Sequence, residues 1–213
     1  MKIQCLTIDS SESKSLMCEL GAACGTDKSP YVQMGHRHPY TAVYDLLLSR
    51  FRYNPIKMCE IGIAGGASVL LWRYFFQHAA SEIHCYDCDM NFINNVKSFN
   101  LPGVFPKHMN VFEDESIKNG LEVAGGNFDL ILDDSTHGLP EQVKVIKNGL
   151  PFLKSGGMFI IEDIYRDAAH ERYEEELKDV LDQFITATFI ITDHKDRFSP
   201  GWNNDKLLVL VKK

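Results

Sequence analysis

A chain of 213 residues with 45% hydrophobic and 24% charged side chains has the make-up of a soluble globular domain and the length to bury a core without cross-links. Its net charge of -7 argues against a broad nucleic-acid surface, which is ordinarily basic, and no apolar run is long enough for a membrane span. The opening MKIQCLTIDSSESKS lacks the apolar centre of a secretory leader, and cysteines at 5, 18, 24, 59, 85 and 88 read as thiols of a reducing, cytoplasmic setting. Cys85 and Cys88 have C-x-x-C spacing, but no second pair follows at a zinc-like distance.

Residues 1–52 are expected to form an N-terminal helical cap, with helices over 13–23 and 39–52. In HPYTAVYDLLLSRF, Val43, Leu46, Leu47 and Phe51 recur at helical spacing. From residue 56 strands and helices alternate. IKMCEIGI (56–63) reads as a buried strand, followed by glycines and the helix GASVLLWRYFFQH. EIHCYDCD (82–89) is the second strand, with helix MNFINNVKSF. VFPKHMNVF holds a weak third. FDLILDD (128–134) is the fourth, with helix LPEQVKVIKNGLPFL. GGMFIIEDI (156–164) is the fifth, followed by a long charged helix, DAAHERYEEELKDVLDQF. TATFIITDH and DKLLVLVKK close the chain. The short link between these last two has no room for a crossover helix, which predicts an antiparallel hairpin. The expectation is one α/β domain over 1–213. Its core, 56–213, is a Rossmann-like, seven-stranded, mostly parallel sheet with helices on both faces and an antiparallel pair at its end.

CEIGIAGGAS (59–68) joins the first core strand to its helix in the pattern E-x-G-x-x-G-G-x-S, with Glu60, Gly62, Gly65, Gly66 and Ser68. Glycines let a backbone pass close to a ligand, and the helix start beyond offers free N–H groups. The next strand ends in CYDCD. An acid there supplies two acceptor oxygens for a ribose diol. Asp87 is the expected one and Asp89 the alternative, since Asp89 also suits the cap of the following helix. After the third strand, MNVFEDES offers Asn110, Phe112, Glu113 and Asp114 without a choice among them.

ILDDSTHG puts Asp133 and Asp134 at the end of the fourth strand, and FIIEDIY puts Glu162 and Asp163 at the end of the fifth. Carboxylates gathered on neighbouring strand ends repel and call for a cation or protons. Oxygen donors of this kind suit Mg²⁺, with Mn²⁺ or Ca²⁺ as substitutes. His137 follows Asp134 by three residues. A neutral imidazole there is placed to take a proton from an alcohol whose oxygen a Lewis acid has polarised.

The glycine loop with its leading acid resembles the first motif of S-adenosylmethionine-dependent methyltransferases. GTDKSPY…HPYTAVY (25–44), EIGIAGGAS, DDSTHG and IIEDIY together resemble the Mg²⁺-dependent O-methyltransferases that modify rhamnose and the deoxysugars of macrolide antibiotics, over most of residues 24–165. The resemblance implies S-adenosylmethionine held by Glu60, Gly62, Gly65, Ser68 and Asp87, with Thr26 and Lys28 near its methionine end and Asp133 orienting either the site or the cofactor's amino group. It implies Mg²⁺, or Mn²⁺, on Asp134, Glu162 and Asp163, and catalysis by His137 as base beside Asp134. Catechol-type relatives place a lysine where this chain has His137, which favours the sugar branch. His36, His38 and Tyr40 either line a sugar or cap the helix after Pro39. Trp202 in RFSPGWNND either stacks on a sugar or packs. The acceptor expected is a sugar-bearing small molecule or glycan. Self-association and fusion to a glycosyltransferase domain are compatible with the resemblance. Phenol methylation and a non-catalytic cofactor-binding module are the competing readings.

Overall fold

The computed structural model describes residues 2–213. Its strands are β1 (Gln4–Asp9), β2 (Lys57–Ile61), β3 (Glu82–Asp87), β4 (Val104–His108), β5 (Phe128–Asp133), β6 (Leu153–Ile161), β7 (Phe184–Asp193) and β8 (Lys206–Lys212). The helices are α1 (Leu16–Cys24), α2 (Thr41–Leu48), α3 (Ala67–Phe75), α4 (Met90–Ser98), α5 (Asp114–Val123), α6 (Leu139–Gly149) and α7 (His170–Glu176). None of the described helices is long and apolar enough to cross a membrane.

The strands make one sheet in the order β1-β7-β8-β6-β5-β2-β3-β4. β2 pairs in parallel with both β3 and β5, so successive connections leave it in opposite directions. The crevice above the carboxyl ends of β2 and β5 is therefore the switch point at which open α/β sheets hold ligands. β8 slots antiparallel between β6 and β7, as the short link between the last two strands requires.

Side chains alternate across each strand, and the two cores follow from that. Ile131, Phe159, Phe189 and Leu208 pack on one face with Ile117, Val145 and Tyr173 of the helices. Leu130, Leu132, Ile160 and Leu207 pack on the other with Tyr44, Trp72 and Phe75.

Two expectations are corrected. The sheet has eight strands rather than seven, because residues 4–9 pair in parallel with β7 at the sheet's edge. The segment 1–52 is thus a strand and two short helices, not a helical cap alone. Most of β1 is exposed, and in QCLTID only Leu6 and Ile8 alternate with polar neighbours, a run too short to read as a strand. The long charged helix shrinks to α7. Leu177 and Leu181 stay buried at helical spacing, but the chain between them closes as turns and a 3-10 segment, Leu181–Gln183, so that Phe184 enters β7 buried.

Burial separates two substitutions that look alike on paper. Phe159→Ala, in the fully buried layer, should cost about 3–5 kcal/mol in urea unfolding. Ile185→Ala, 58% exposed on β7, should stay within about 0.5 kcal/mol.

Candidate active site

β2 runs straight into Gly62, whose φ is +87°. A side chain there would be strained and would also strike the backbone carbonyl of Asp134. The close approach of the β2 and β5 loops therefore requires glycine. Asp87 steadies the loop from the next strand. Its Oδ2 accepts from the backbone N–H groups of Ile63 at 3.0 Å and Ala64 at 3.2 Å, and its Oδ1 from that of Asp89 at 2.9 Å. Asp89 accepts from the Asn91 N–H at 2.7 Å and caps α4. Asp89 is thus the cap of α4, and Asp87 the acid that holds the glycine loop.

Above this loop lies a cavity of about 530 Å³. Thr26, Lys28, Gly62, Gly65, Ser68, Asp87 and Asp134 line it, together with Met109, Asn110, Val111 and Phe112 beyond β4. Of the third-strand candidates, Asn110 and Phe112 face the cavity, and Glu113 instead accepts from the Asn110 amide at 2.8 Å.

Glu60 and Asp133 do not line the cavity. Glu60 is fully buried and accepts from the Ser68 hydroxyl at 3.0 Å. Asp133 lies on the Ile131 face of β5 and accepts from the Ser135 hydroxyl at 2.6 Å. Glu60 Oε1 and Asp133 Oδ2 have no hydrogen-bond partner among the described residues. Burial pushes both carboxyls up to about 7, against the opposing pull of Lys28 on Glu60 and of Ser135 on Asp133.

At the ends of β5 and β6 the acidic residues meet. Lys28, fully enclosed, donates from Nζ to Asp134 Oδ2 and, at 2.6 Å, to Glu162 Oε2. The Tyr44 hydroxyl donates to Glu162 Oε1 at 2.5 Å, and the Tyr40 hydroxyl to Asp163 Oδ1 at 2.7 Å. His137 and Asp163 both take left-handed backbone angles, φ +59° and +57°. That conformation brings the imidazole between two acids: Nε2 is 3.2 Å from Asp134 Oδ1 and Nδ1 is 3.6 Å from Asp163 Oδ2. His38 stands 3.9 Å from Asp163 Oδ1 and is held at 2.7 Å by Asp205.

The charges follow the contacts. Burial pulls the Lys28 ammonium down, but Asp134 and Glu162 outweigh it and hold it well above its ordinary value. Burial pushes Asp134 up, and Lys28 with His137 outweighs that to hold it low. Glu162 and Asp163 are raised, chiefly by burial. For His137, burial acts downward and the Asp134 and Asp163 contacts win, raising it.

The donor set suits a hard divalent cation. One ligand atom each from Asp134, His137 and Asp163 lies within 4.8 Å of the others. Glu162, expected in that set, lies beside it with both oxygens engaged by Tyr44 and Lys28. The sequence reading missed Tyr44, although Tyr40 and Tyr44 stand at helical i, i+4 spacing, which puts them on one side of α2. It also missed Asp205, 167 residues from His38, for which no local signal exists.

Residues 59–164 match the family model described as a methyltransferase domain. The match takes in the glycine loop and both acidic strand ends. Among curated relatives, the chain is 25% identical over 146 residues to the 8-demethyl-8-(2-methoxy-alpha-L-rhamnosyl)-tetracenomycin-C 3'-O-methyltransferase of Streptomyces olivaceus, covering 60% of this chain and 33% of that protein. It is 24% identical over 162 residues to the mycinamicin VI 2''-O-methyltransferase of Micromonospora griseorubida, covering 68% and 38%. The chain thus spans about a third of the length of the curated relatives it matches. Its fold is similar to that of the MycE methyltransferase from the mycinamycin biosynthetic pathway, solved with Mg and SAH, at a TM-score of 0.67 and 18% identity over 93% of this chain and 55% of that one. It is also similar to the O-methyltransferase from Bacillus cereus in complex with SAH, at 0.60 and 14% over 94% and 92%.

The raised acids make stability depend on pH with a definite sign. Glu60 and Asp133 hold protons more tightly folded than unfolded, so both oppose folding as pH climbs from about 4 toward 7. Glu60→Gln should remove a share of that fall, on the order of 3 kcal/mol at most. Thermal melts across this range should show a flatter pH dependence in the variant than in the parent.

Proposed function

We propose that this methyltransferase moves the methyl group of S-adenosylmethionine to a hydroxyl of a sugar carried by a larger molecule, with a divalent cation and His137 assisting. The observation that carries the proposal is the meeting of Asp134, His137, Glu162 and Asp163 beside the mouth of the glycine-loop cavity. Relatives whose names specify rhamnosyl and macrolide sugar O-methylation support the choice of acceptor.

In this reading Asp87 accepts from the ribose hydroxyls of the cofactor while the Gly62–Gly65 backbone lets it approach. Thr26 and Lys28 close the cavity toward the methionine end. Glu60 and Asp133, off the cavity wall, act on the loops behind it rather than on the cofactor. S-adenosylmethionine supplies a methyl group on a positively charged sulfur, which an oxygen displaces in line. Asp134 and Asp163 are the carboxylates that would hold Mg²⁺ or Mn²⁺, with Glu162 beside them, its oxygens engaged by Lys28 and Tyr44. Such an ion supplies Lewis acidity toward the acceptor oxygen and a fixed point for its orientation.

An alcohol must shed its proton as the new C–O bond forms. His137 receives it. Asp134 fixes the ring through Nε2, and Nδ1, whose nearest carboxylate oxygen is beyond hydrogen-bond reach, is the nitrogen that takes the proton. A base has to be neutral to act, and the acids around His137 raise its pKa. The rate should therefore fall on the acid side as the imidazole takes up a proton.

Calorimetry with S-adenosylhomocysteine tests the cofactor site. Saturable binding that Asp87→Ala weakens is expected, and binding of NAD in its place would overturn the assignment.

A panel of methyl glycosides and catechol, incubated with S-adenosylmethionine and Mg²⁺ and read by mass and NMR, tests the reaction. Methylated sugar is the expected product, EDTA should stop its formation, and methylated catechol alone would favour the phenol reading. His137→Ala should lower kcat by about 10²–10⁴-fold and remove the acidic limb, with S-adenosylhomocysteine affinity unchanged. Near-normal kcat in that variant would make the histidine structural.

A further inference from the structure

The loop between β7 and β8, residues 194–205, leaves two large rings in solvent at one cleft, and a third ring stands against one of them. Phe198 is 46% exposed and Trp202 48%, and Tyr165, from the loop after β6, is 41% exposed. Tyr165 and Trp202 lie face to face, centroids 6.1 Å apart and planes 25° apart. The cleft, about 480 Å³, is lined by Arg197, Phe198, Ser199, Trp202 and Asn203. Paired aromatic rings gain from being covered, and an open cluster of them marks a surface that meets a ligand.

Three contacts join this surface to the acidic site. Tyr165 follows Asp163 by two residues. The Arg166 N–H donates to the Asn203 carbonyl at 2.7 Å, tying the two loops together. The Tyr40 hydroxyl, which donates to Asp163, also lies 3.0 Å from the Asn204 carbonyl. On its other flank, Arg37 exchanges backbone hydrogen bonds with Phe198 at 2.8 and 3.1 Å. His36, next in the chain, lines the cofactor cavity.

The chemistry of the cleft selects an uncharged occupant. The cation that lines it, Arg197, is already neutralised, donating to Asp205 Oδ2 at 2.6 Å with Asp193 Oδ1 at 3.6 Å from its Nε, and Arg37 is taken up by the Phe198 ring, 5.1 Å from its centroid. What remains is the face of Trp202 turned away from Tyr165, with amide and hydroxyl groups at the edge. A pyranose has the complementary pattern: a C–H face that meets the electron-rich ring and hydroxyls around its rim.

We propose that Tyr165 and Trp202, with Phe198 and Asn203 beside them, form the platform on which a neutral glycoside acceptor lies while one of its hydroxyls reaches His137. The inference rests on the sugar reading above and adds the residues that set acceptor specificity. Trp202 is a binding residue and takes no part in proton movement.

The chain has two tryptophans, and Trp72 is fully buried, so a ligand-dependent fluorescence change reports on Trp202. The probe is methyl α-L-rhamnopyranoside, titrated into the full chain and into His137→Ala, each saturated with S-adenosylhomocysteine. A saturable change is expected in both, and it should vanish in Trp202→Phe, which removes the signal. In turnover, Trp202→Ala should raise KM for the glycoside about ten-fold, as loss of one ring stack worth roughly 1.4 kcal/mol would. The kcat, S-adenosylhomocysteine affinity and melting temperature should hold. Trp202→Phe should restore most of the KM.

A fluorescence change without methyl transfer would keep the platform and overturn the catalytic reading. Methyl transfer with no fluorescence response, or an unchanged KM in Trp202→Ala, would overturn the platform and leave sugar methylation standing.

Discussion

One buried ammonium lets the rest of the site exist. Glu162 and Asp134 sit at the ends of adjacent strands where both lose water, and Lys28 reaches them from the loop after α1. Without it, the buried Glu162 would face the half-buried Asp134 uncompensated, and a buried charge left without its partner is strongly destabilising. The same residue walls the cofactor cavity. The device that neutralises the acids therefore also ties the N-terminal segment to the ends of β5 and β6.

Around that bridge nearly every oxygen has an assigned partner. Tyr44 and Lys28 take both oxygens of Glu162, Tyr40 takes one of Asp163, and His137 takes the second of Asp134. Full pairing of this kind fixes rotamers, and a site whose groups are held before the reaction loses little free energy to reorganisation during it. The left-handed backbone at His137 and Asp163 is part of the same arrangement. It is unfavourable for residues other than glycine, and the surrounding hydrogen bonds hold it because it turns the imidazole toward both acids.

The parts of the molecule legible in the sequence are those whose signal is local. A strand, a glycine turn and a helix lie within residues 57–75, and the DDSTHG and IIEDIY acids follow buried strands directly. The roles of Asp133 and Asp134 differ because strand neighbours point to opposite faces. Asp133 follows Ile131 onto the buried face while Asp134 reaches the crevice, a distinction that the period of β5 already contained. β1 was not legible, since an exposed edge strand needs no apolar alternation. Nor was the His38–Asp205 pair, because nothing in either segment names a partner on the far side of the fold.

The bonds that build the site span the chain. Lys28 is 106 residues from Asp134 and 134 from Glu162, Tyr40 is 123 from Asp163, and His38 is 167 from Asp205. Contacts of such separation form late, because closing long loops has to precede the gain from the contact. The site therefore assembles with the whole sheet, and β8, the eighth strand in chain order, closes it next to Asp205, the anchor of His38. A ligand bound there is linked to the global equilibrium rather than to the opening of one loop, so occupancy of the site holds the whole molecule folded.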